Sequence, residues 1–405
     1  MNAHPDPRIQ PDVRSATAEP STGNPSTANP ASGNPSDPAA RRTRVAVVFG
    51  GRSGEHSISC ATAAGVLREL DRDRFEVVPI GITRDGQWVT APDDPAAIEG
   101  GRAEVQHSGS SVAVAFAPGA GSLVTSDPAA LPREIGDVDV VLPLLHGPFG
   151  EDGTIQGLFE MAGVRYVGSG VLASAIAMDK HYMKVALAGA GLPIGPYVVA
   201  TARQWVSDPA AVLDAVASLH FPVFVKPARA GSSLGISRVE RLEDVAAAVE
   251  AAREHDPKVI IEEGLAGREL ECGVIGAREN GAPRTTPLGE IVVDSAQAAF
   301  YDYETKYFST GGVTLSCPAD VPPDVEERIR DLAARAFDAL GCEGLARVDF
   351  FWEAGHGPVI NEVNTMPGFT PHSMFPVMWA AEGLAYGDLV AELIDLALAR
   401  PLGLR

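Results

Sequence analysis

The segment RVAVVFGG (residues 44–51) is an apolar run that ends in two glycines, and the helix-like stretch SGEHSISCATAAGVLREL (53–70) follows it. An apolar run without polar alternation is typical of a strand covered on both faces, as in a parallel sheet. Further segments continue the alternation of strand and helix: FEVVPIGI, VDVVLPLLHG, DGTIQGLFEMAG and VRYVG. This order predicts an N-terminal, doubly wound parallel α/β domain over residues 44–177, with VRYVG as its fourth strand.

Two loops of this domain carry ionisable side chains. In open α/β sheets, ligands bind beyond the carboxyl ends of the strands, where GGRSGEHS (50–57) and HGPFGEDG (146–153) are expected. These loops contain Glu55, His146 and Glu151. We therefore expect part of a ligand site here, although a structural histidine in a turn is an alternative interpretation of His146.

The glycine-rich segments of this region do not match a common nucleotide-binding loop. GGRSG (50–54) and GSGVLA (168–173) each resemble part of the dinucleotide-binding pattern, but neither is a full G-x-G-x-x-G on the first βα unit. A Walker loop requires a Gly-Lys dipeptide, and the sequence contains none. These observations argue against a dehydrogenase and exclude a P-loop enzyme.

The segment FPVFVKPARAGSSLGISRV (221–239) is typical of a strand, a loop and a second strand. Lys226 lies in an apolar strand, and a lysine is seldom buried unless it is paired. The glycine loop with Ser232 and Ser233 can direct backbone N–H groups and hydroxyls at an anion. The segment is therefore a candidate phosphate-binding strand and flap.

A similar pattern of strand, short loop and strand occurs in VIIEEGLAGRELECGVIG (259–276), which contains Glu262, Glu269 and Glu271. Such a strand end can offer backbone hydrogen bonds to an adenine and a carboxylate to a ribose. A solvated strand end is the alternative interpretation of Glu262.

The segment ARVDFFWEAGHGPVINEVNTMPG (346–368) predicts a hairpin, because two aromatic and β-branched runs flank a glycine-containing turn. A two-residue turn at 355–356 would place Asp349 opposite Glu362 on the neighbouring strand. Directly opposed carboxylates repel each other unless a cation lies between them.

The same register places Arg347 opposite Asn364, and side chains two residues apart share a strand face. Carboxylate and amide oxygens are ligands that suit Mg²⁺. The hairpin is therefore a candidate magnesium site, and a solvated strand face with charges placed by chance is the alternative interpretation.

The long polar segment 294–317 lies between strands of this last region. A loop of that length usually closes over an active site. Tyr303, Lys306 and Tyr307 would reach the site from such a lid. An ordinary ordered surface loop is the alternative.

Composition limits the classes of function. The net charge of −21 would repel nucleic acid and anionic membranes. No apolar run approaches the ~18 residues of a membrane span, and the N-terminus lacks the apolar core of a secretory signal. Residues 1–43, which contain imperfect Asn-Pro repeats, are predicted to be a disordered tail. Four cysteines without a metal-binding or disulfide pattern indicate a reducing cytoplasm: Cys60, Cys272, Cys317 and Cys342.

In order along the chain, these segments resemble the D-alanine–D-alanine ligase family of the ATP-grasp superfamily. The matching motifs run from about residue 44 to 400: VFGGRSGEHSIS, LHGPFGEDGTIQG, MDK, VKPARAGSSLGIS, FYDYETKY, ARVDFF, INEVNTMPGFT and HSMFP. The resemblance implies an α+β, two-lobed ATP-grasp fold after the first domain. It also implies a central lobe over 178–264 and a C-terminal lobe over 265–405.

The resemblance implies how ATP and metal ions are bound. Three side chains would hold two Mg²⁺ or Mn²⁺ ions: Asp349, Glu362 and Asn364. Phosphate oxygens would be neutralised by three lysines, with a flap serine as a further nucleotide ligand: Lys180, Lys226, Lys306 and Ser233. The adenosine would be held by Glu262, Leu265 and Glu269.

The resemblance also assigns the amino-acid substrates. Glu55 would bind the ammonium of the first substrate, with His146 nearby. Arg347 and the backbone N–H of Gly368 would form an oxyanion hole. Ser373 would hold the carboxylate of the second substrate. A hydrogen-bonded set would connect the lid, the flap and the first domain over the substrates: Tyr307, Ser232 and Glu55.

The implied activity is ATP-dependent ligation of two D-alanines through an acyl phosphate, which supplies a peptidoglycan precursor. A D-alanine–D-lactate ligase and another ATP-grasp carboxylate–amine ligase are the alternatives. The lid sequence YDYETKY (301–307) resembles that of the dipeptide-forming members. The resemblance further implies a cytoplasmic homodimer that binds small molecules.

Overall fold

Three β-sheets organise the part of the chain that the computed structural model describes, which comprises residues 41–99, 104–107, 111–117, 120–126, 133–231, 234–278, 281–293 and 313–402. Residues 42–405 belong to one compact unit. Residues 1–40 of the predicted tail lie outside the described residues. The first strand begins at Thr43. No helix in the described ranges is long and apolar enough to cross a membrane.

The first sheet has seven strands in the order β6-β5-β4-β3-β2-β1-β7. Its strands are β1 (Thr43–Gly50), β2 (Phe75–Ile82), β3 (Trp88–Thr90), β4 (Ser111–Ala117), β5 (Ala120–Ser126), β6 (Arg133–Asp137) and β7 (Val140–Pro143). The strand β1 pairs in parallel with β2 and β7, which confirms the predicted parallel sheet. The strands β3 to β6 extend it as an antiparallel meander. The predicted fourth parallel strand is wrong in extent, because 164–168 contributes only a bridge between Tyr166 and Val141.

Helices cover this sheet from both halves of the chain. The local ones are α1 (His56–Glu69), α2 (Pro95–Glu99), α3 (Thr154–Ala162) and α4 (Val171–Met178). One hydrophobic core joins Val45 and Phe49 of β1 to Leu393 and Ile394 near the C-terminus. The last helix of the chain therefore completes the cover of the first sheet.

The second sheet is antiparallel, in the order β10-β9-β11-β8. Its strands are β8 (Tyr197–Ala200), β9 (Val223–Pro227), β10 (Ser237–Val239) and β11 (Val259–Glu263). The helices of this region are α5 (Lys180–Gly189), α6 (Ala202–Ser207), α7 (Pro209–Val216) and α8 (Leu242–Arg253). The sequence predicts β9, β10 and β11 and the lysine position within β9.

The third sheet is also antiparallel, in the order β15-β14-β12-β16-β17, with β13 paired to β12. Its strands are β12 (Arg268–Ile275), β13 (Arg284–Thr285), β14 (Gly289–Val293), β15 (Val313–Ser316), β16 (Leu345–Trp352) and β17 (Val359–Asn364). The remaining helices are α9 (Pro323–Ala339), α10 (Met374–Ala381) and α11 (Tyr386–Ala399). This architecture of one mixed sheet and two antiparallel ones agrees with the α/β and α+β fold class.

The turn of the β16–β17 hairpin differs from the predicted two-residue turn. The strands stop at Trp352 and Val359, because Gly355 has a φ of 87° and Pro358 lacks an N–H for the ladder. One extra residue on β17, between the pairs Asp349–Glu362 and Phe350–Ile360, shifts the register back. The predicted pairing at Asp349 is therefore right, although the predicted turn is wrong.

Candidate active site

The hairpin brings four predicted site residues onto one face of the third sheet. Arg347 pairs with Asn364, and Asp349 pairs with Glu362, as the sequence predicts. The neighbouring strand β12 places a further carboxylate, that of Glu271, directly opposite Asp349. A cluster of three carboxylates, one guanidinium and one amide results.

Hydrogen bonds connect this cluster. Arg347 Nε and Nη2 donate to the two carboxylate oxygens of Asp349, at 2.7 Å each. Arg347 Nε also lies 3.1 Å from Glu271 Oε1. Asn364 Nδ2 donates to Asp349 Oδ2 at 3.0 Å and lies 3.5 Å from Glu362 Oε1. Burial opposes the charge of Arg347, but Asp349 and Glu271 outweigh it and raise the pKa of the guanidinium, which therefore stays charged.

The donor set of this cluster fits a hard divalent cation. Two carboxylates and one amide converge, and a rotation of the Asn364 amide would present its oxygen instead of its nitrogen. Within the described ranges, no group of three or more His, Cys, Asp and Glu side chains is arranged to hold a metal. The predicted ligands Asp349, Glu362 and Asn364 lie together on one sheet face, and their binding of a metal ion stays a prediction.

Helix α5 supplies two lysines one turn apart. Asp179 caps this helix by accepting hydrogen bonds from the N–H groups of His181 and Tyr182. Lys180 Nζ lies 3.6 Å from Glu362 Oε2 and donates to the carbonyl of Ala230 at 2.9 Å. It therefore connects the acidic hairpin to the segment that leads into the flap.

The second lysine of α5, Lys184, meets the end of β11. Its Nζ lies 2.8 Å from Glu262 Oε1, while Lys226 Nζ on β9 lies 2.6 Å from Glu262 Oε2. Burial opposes the charge of Glu262, but Lys226 and Lys184 outweigh it and lower the pKa of this carboxyl to about 2. The alternative of a solvated strand end is therefore wrong, since Glu262 is buried and paired twice.

Lys184 is not among the predicted site residues. Its signal is the spacing MDKHYMK, which places Lys184 four residues after Lys180 and on the same helix face. Glu271 has no specific predicted role either, because its position opposite Asp349 depends on the pairing of β12 with β16.

The loops at the carboxyl ends of β1 and β7 contact each other next to the start of the flap. A Cβ added to Gly147 would collide with the carboxylate of Glu55, and one added to Gly231 would lie 3.4 Å from Glu55 Oε2. Gly147 N–H donates to Glu151 Oε2 at 2.7 Å. Burial and the charge of Glu55 raise the pKa of the Glu151 carboxyl well above its usual value. Glu55 therefore lies between the 146–153 loop and the start of the flap.

His146 is buried beside these groups. Its Nδ1 lies 3.1 Å from the carbonyl oxygen of Met366, and its Nε2 has no hydrogen-bond partner among the described residues. Burial lowers the pKa of His146, against the opposing effect of Glu55. A neutral imidazole with an open ring nitrogen therefore faces the segment that follows β17.

That segment contains Gly368 and Ser373. A Cβ added to Gly368 would lie 3.3 Å from Ser373 Oγ, so a side chain here would crowd the serine. Ser373 Oγ accepts a hydrogen bond from Thr370 N–H at 3.1 Å and lies 2.8 Å from Thr370 Oγ1. The two predicted substrate-binding groups are thus adjacent.

Two of the predicted adenosine residues, Leu265 and Glu269, follow β11. A Cβ added to Gly195 would lie 3.1 Å from Leu265 Cδ1, which places this leucine against the segment before β8. Glu269 on β12 is opposite Phe351 of β16, on the same face as Glu271. Burial opposes the charge of Lys226, but three carboxylates outweigh it and raise the pKa of this lysine: Glu262, Glu362 and Glu269.

Four predicted site residues lie outside the described ranges: Ser232, Ser233, Lys306 and Tyr307.

Comparisons with known proteins identify the family of this chain. The family described as "D-ala D-ala ligase N-terminus" matches residues 44–169, and "D-ala D-ala ligase C-terminus" matches residues 186–395. A D-alanine–D-alanine ligase of Paenarthrobacter aurescens is 56% identical over 373 residues, which cover 91% of this chain and 99% of the relative. One from Kineococcus radiotolerans is 54% identical over 382 residues, covering 90% and 99%.

Solved structures show the same fold. The VanG D-Ala:D-Ser ligase from Enterococcus faecalis superposes with a TM-score of 0.77 at 35% identity, covering 88% of this chain and all of that one. The D-alanine–D-alanine ligase from Coxiella burnetii gives a TM-score of 0.74 at 30% identity, covering 89% and 94%. Matches of this identity and coverage extend over both halves of the site. The chain therefore belongs to the D-alanine–D-alanine ligase family.

Proposed function

We propose that this protein joins two D-alanine molecules into D-alanyl-D-alanine, with cleavage of ATP to ADP and phosphate, for peptidoglycan synthesis. The observation that carries this proposal is the identity of 56% to a D-alanine–D-alanine ligase over nearly the full length of both chains. The acidic hairpin, the buried lysines and the Glu55 loop supply the charges that this reaction requires.

ATP would bind between the second and third sheets. Lys180 and Lys226 would contact phosphate oxygens, because the ammonium groups of both interact electrostatically with Glu362, a predicted metal ligand. The adenosine would lie at the end of β11, against Glu262, Leu265 and Glu269. Lys306 and Ser233 would add contacts from the lid and the flap.

Two Mg²⁺ or Mn²⁺ ions would be held by Asp349, Glu362 and Asn364. Bound there, such ions neutralise phosphate oxygens and the opposed carboxylates. Arg347 Nε also lies 3.1 Å from Glu271 Oε1, and this second contact would hold the guanidinium if Asp349 bound a cation.

The first step would form an acyl phosphate. A carboxylate oxygen of the first D-alanine attacks the γ-phosphorus of ATP, and the bond from that phosphorus to the bridging oxygen breaks, which releases ADP. Glu55 would bind the ammonium of this D-alanine, with His146 beside it. Since an acyl phosphate hydrolyses in water, the segment 294–312, which precedes β15, would close as the lid and exclude solvent.

The second step would form the peptide bond. The amine of the second D-alanine attacks the acyl carbon, loses a proton, and phosphate leaves with one oxygen of the former carboxylate. Arg347 and the N–H of Gly368 would stabilise the developing oxyanion. Ser373 would hold the carboxylate of the second D-alanine, and Tyr307, Ser232 and Glu55 would order the lid and flap over both substrates.

A homodimer would form through α3 and α4. These two helices pack together and leave large apolar side chains in solvent, with Met161 81% and Leu172 70% exposed. Large apolar side chains exposed to this degree on two neighbouring helices would support a contact between subunits. Light scattering should give twice the chain mass, and Met161→Asp with Leu172→Asp should give monomers. A wild-type monomer at micromolar concentration would contradict this proposal.

The activity is tested by phosphate release from ATP. We expect release with D-alanine and Mg²⁺, and background release with L-alanine or with D-alanine and a chelator. The products with D-serine and with D-lactate distinguish the related ligases. Release that is equal for D- and L-alanine would contradict the proposed function.

A further inference from the structure

Lysine is rare in this chain. The sequence has 27 arginines but five lysines, at 180, 184, 226, 258 and 306. Exposed ion pairs such as Arg72–Asp93 and Arg241–Asp244 use arginine. Three of the four described lysines instead lie on α5 and β9, next to Glu262 or Glu362. The fourth, Lys258, lies directly before β11 and pairs with Asp179. Because a compact ammonium and a planar guanidinium are not interchangeable, this distribution points to a shared function.

Lys184 differs from the other lysines in its burial. Its side chain is 3% exposed, whereas those of Lys180 and Lys226 are each 14% exposed. Lys184 therefore does not reach the cleft itself. Its Nζ meets the carboxylate of Glu262, 2.8 Å from Oε1.

Glu262 is shared between two ammonium groups, one for each carboxylate oxygen. The cluster of two lysines and one glutamate carries a net charge of +1 within a buried region. If Glu262 faced Lys226 alone, the pair would be neutral, and the carboxylate would hold that ammonium at both oxygens. An ammonium has three N–H donors, so Lys226 retains donors for a second anion while Lys184 shares its carboxylate.

Helix α5 connects this cluster to the acidic hairpin. Lys180, one turn before Lys184, lies 3.6 Å from Glu362 Oε2. The same helix face thus reaches the metal-binding glutamate at one end and the adenosine-binding glutamate at the other. A nucleotide that occupied the cleft would lie along this face.

We propose that Lys184 is a positioning residue for ATP, which balances Glu262 so that the ammonium of Lys226 stays available to a phosphate oxygen. This inference rests on the proposed ATP-dependent function. It predicts that the charge of Lys184 controls the affinity for the phosphate chain and not the affinity for adenosine.

The test is equilibrium binding of ATP and of adenosine, measured by calorimetry on the full chain with Mg²⁺ and without D-alanine. Lys184→Met and Lys184→Gln both remove the charge, and the glutamine keeps a hydrogen-bond donor for Glu262. We expect both variants to weaken ATP binding by about tenfold or more, with adenosine binding changed by less than about twofold. Lys184→Arg keeps the charge but not the compact ammonium, so its affinity for ATP should lie between those of the wild type and the neutral variants.

The control is Arg400→Met, which removes a cation of similar burial (9% exposed) that contacts Glu343 and the carbonyl of Gly168. This control should leave the affinity ratio of ATP to adenosine unchanged. An equal loss of ATP and adenosine binding in the Lys184 variants, or no loss, would overturn the proposal. Failure of both neutral variants to fold would assign Lys184 to stability and would overturn it as well. A wild-type chain that binds adenosine but not ATP would instead contradict the proposed function.

Discussion

Asp349 and Glu362 are directly opposed on neighbouring antiparallel strands. The amide nitrogen of Asn364 donates a hydrogen bond to the carboxylate of Asp349 and lies 3.5 Å from that of Glu362. Opposed like charges destabilise a sheet. Arg347 and Lys180 offset part of this repulsion from either side. Such a pair is expected where a bound cation, and not stability, determines the residues.

Asp349→Asn and Glu362→Gln should each reduce turnover by more than about 100-fold, because a ligand is lost at a metal-dependent step. Glu362→Gln should leave the melting temperature nearly unchanged, since one of two repelling charges is removed. Asp349→Asn should lower it, because this change also breaks the buried ion pair with Arg347. Phosphate release and thermal unfolding measure the two effects. Glu353→Gln, on the turn of the same hairpin, is the matched control and should behave as the wild type. Near-normal release from either ligand variant at limiting Mg²⁺ would show that the site is misassigned.

Acid should destabilise the protein through Glu262. The folded-state pKa of about 2 lies below the usual value of 4.5, because Lys226 and Lys184 outweigh the effect of burial. A depressed carboxyl pKa contributes stability that is complete above pH 4.5 and is lost as the pH falls towards 2. Glu262→Gln should therefore cost ~3 kcal/mol of unfolding free energy at pH 7.

Urea unfolding of the wild type and Glu262→Gln between pH 3 and 7 checks this sign. The difference between the two unfolding free energies should narrow as the pH falls below about 4.5. A difference that is constant or widens on acidification would contradict the assigned ion pairs.

Deletion of residues 1–40 should leave turnover and melting temperature nearly unchanged, because their composition offers little apolar surface to bury. The cut must stop before Thr43, whose N–H donates to the carbonyl of Arg74 at 3.0 Å at the start of β1. A longer deletion, through Val48, should prevent folding, since it removes the strand between β2 and β7. A fall of several degrees in the shorter variant would show that the tail docks on the folded unit.

Tyr307→Phe should loosen the choice of second substrate. The lid sequence YDYETKY predicts an amine nucleophile, and the missing hydroxyl should remove ~1 kcal/mol of lid closure. Mass spectrometry of products with D-alanine and D-lactate in competition gives the ratio of dipeptide to depsipeptide. Adenosine affinity is the internal control and should not change. Mainly D-alanyl-D-lactate from the unmodified enzyme would contradict the interpretation of the lid.

The predicted fold was right where apolar runs alternate with helices, and incomplete where they do not. The strands β4 and β5 consist largely of Ala, Ser and Gly with few large apolar residues, so their antiparallel meander had no clear signal in the sequence. The predicted pairing of Asp349 with Glu362 was right because two features offset each other. The turn is wider than two residues, and a one-residue bulge at Asn361 precedes Glu362. The bulge leaves the buried Ile360 and Val363 three residues apart on β17, which a strict two-residue alternation does not predict.

The site was predictable to the extent that each segment carries its own chemistry. Asp349, Glu362, Lys226 and Glu262 each stand out against an apolar strand. Lys184 does not, because a lysine on a helix normally faces solvent, and its burial follows from the packing of α5 on the end of β11. Pairing between separate segments, such as that of β12 with β16, is the information that the sequence lacked.

The most direct test of the account follows one oxygen atom. D-alanine labelled with ¹⁸O at both carboxylate oxygens is incubated with ATP and Mg²⁺, and the released phosphate is analysed by mass spectrometry. An acyl-phosphate route transfers one carboxylate oxygen to phosphate, so each phosphate should carry one ¹⁸O, and the new peptide carbonyl should keep the other. Unlabelled phosphate released together with D-alanyl-D-alanine would contradict the acyl phosphate, and phosphate release without the dipeptide would contradict the proposed activity itself.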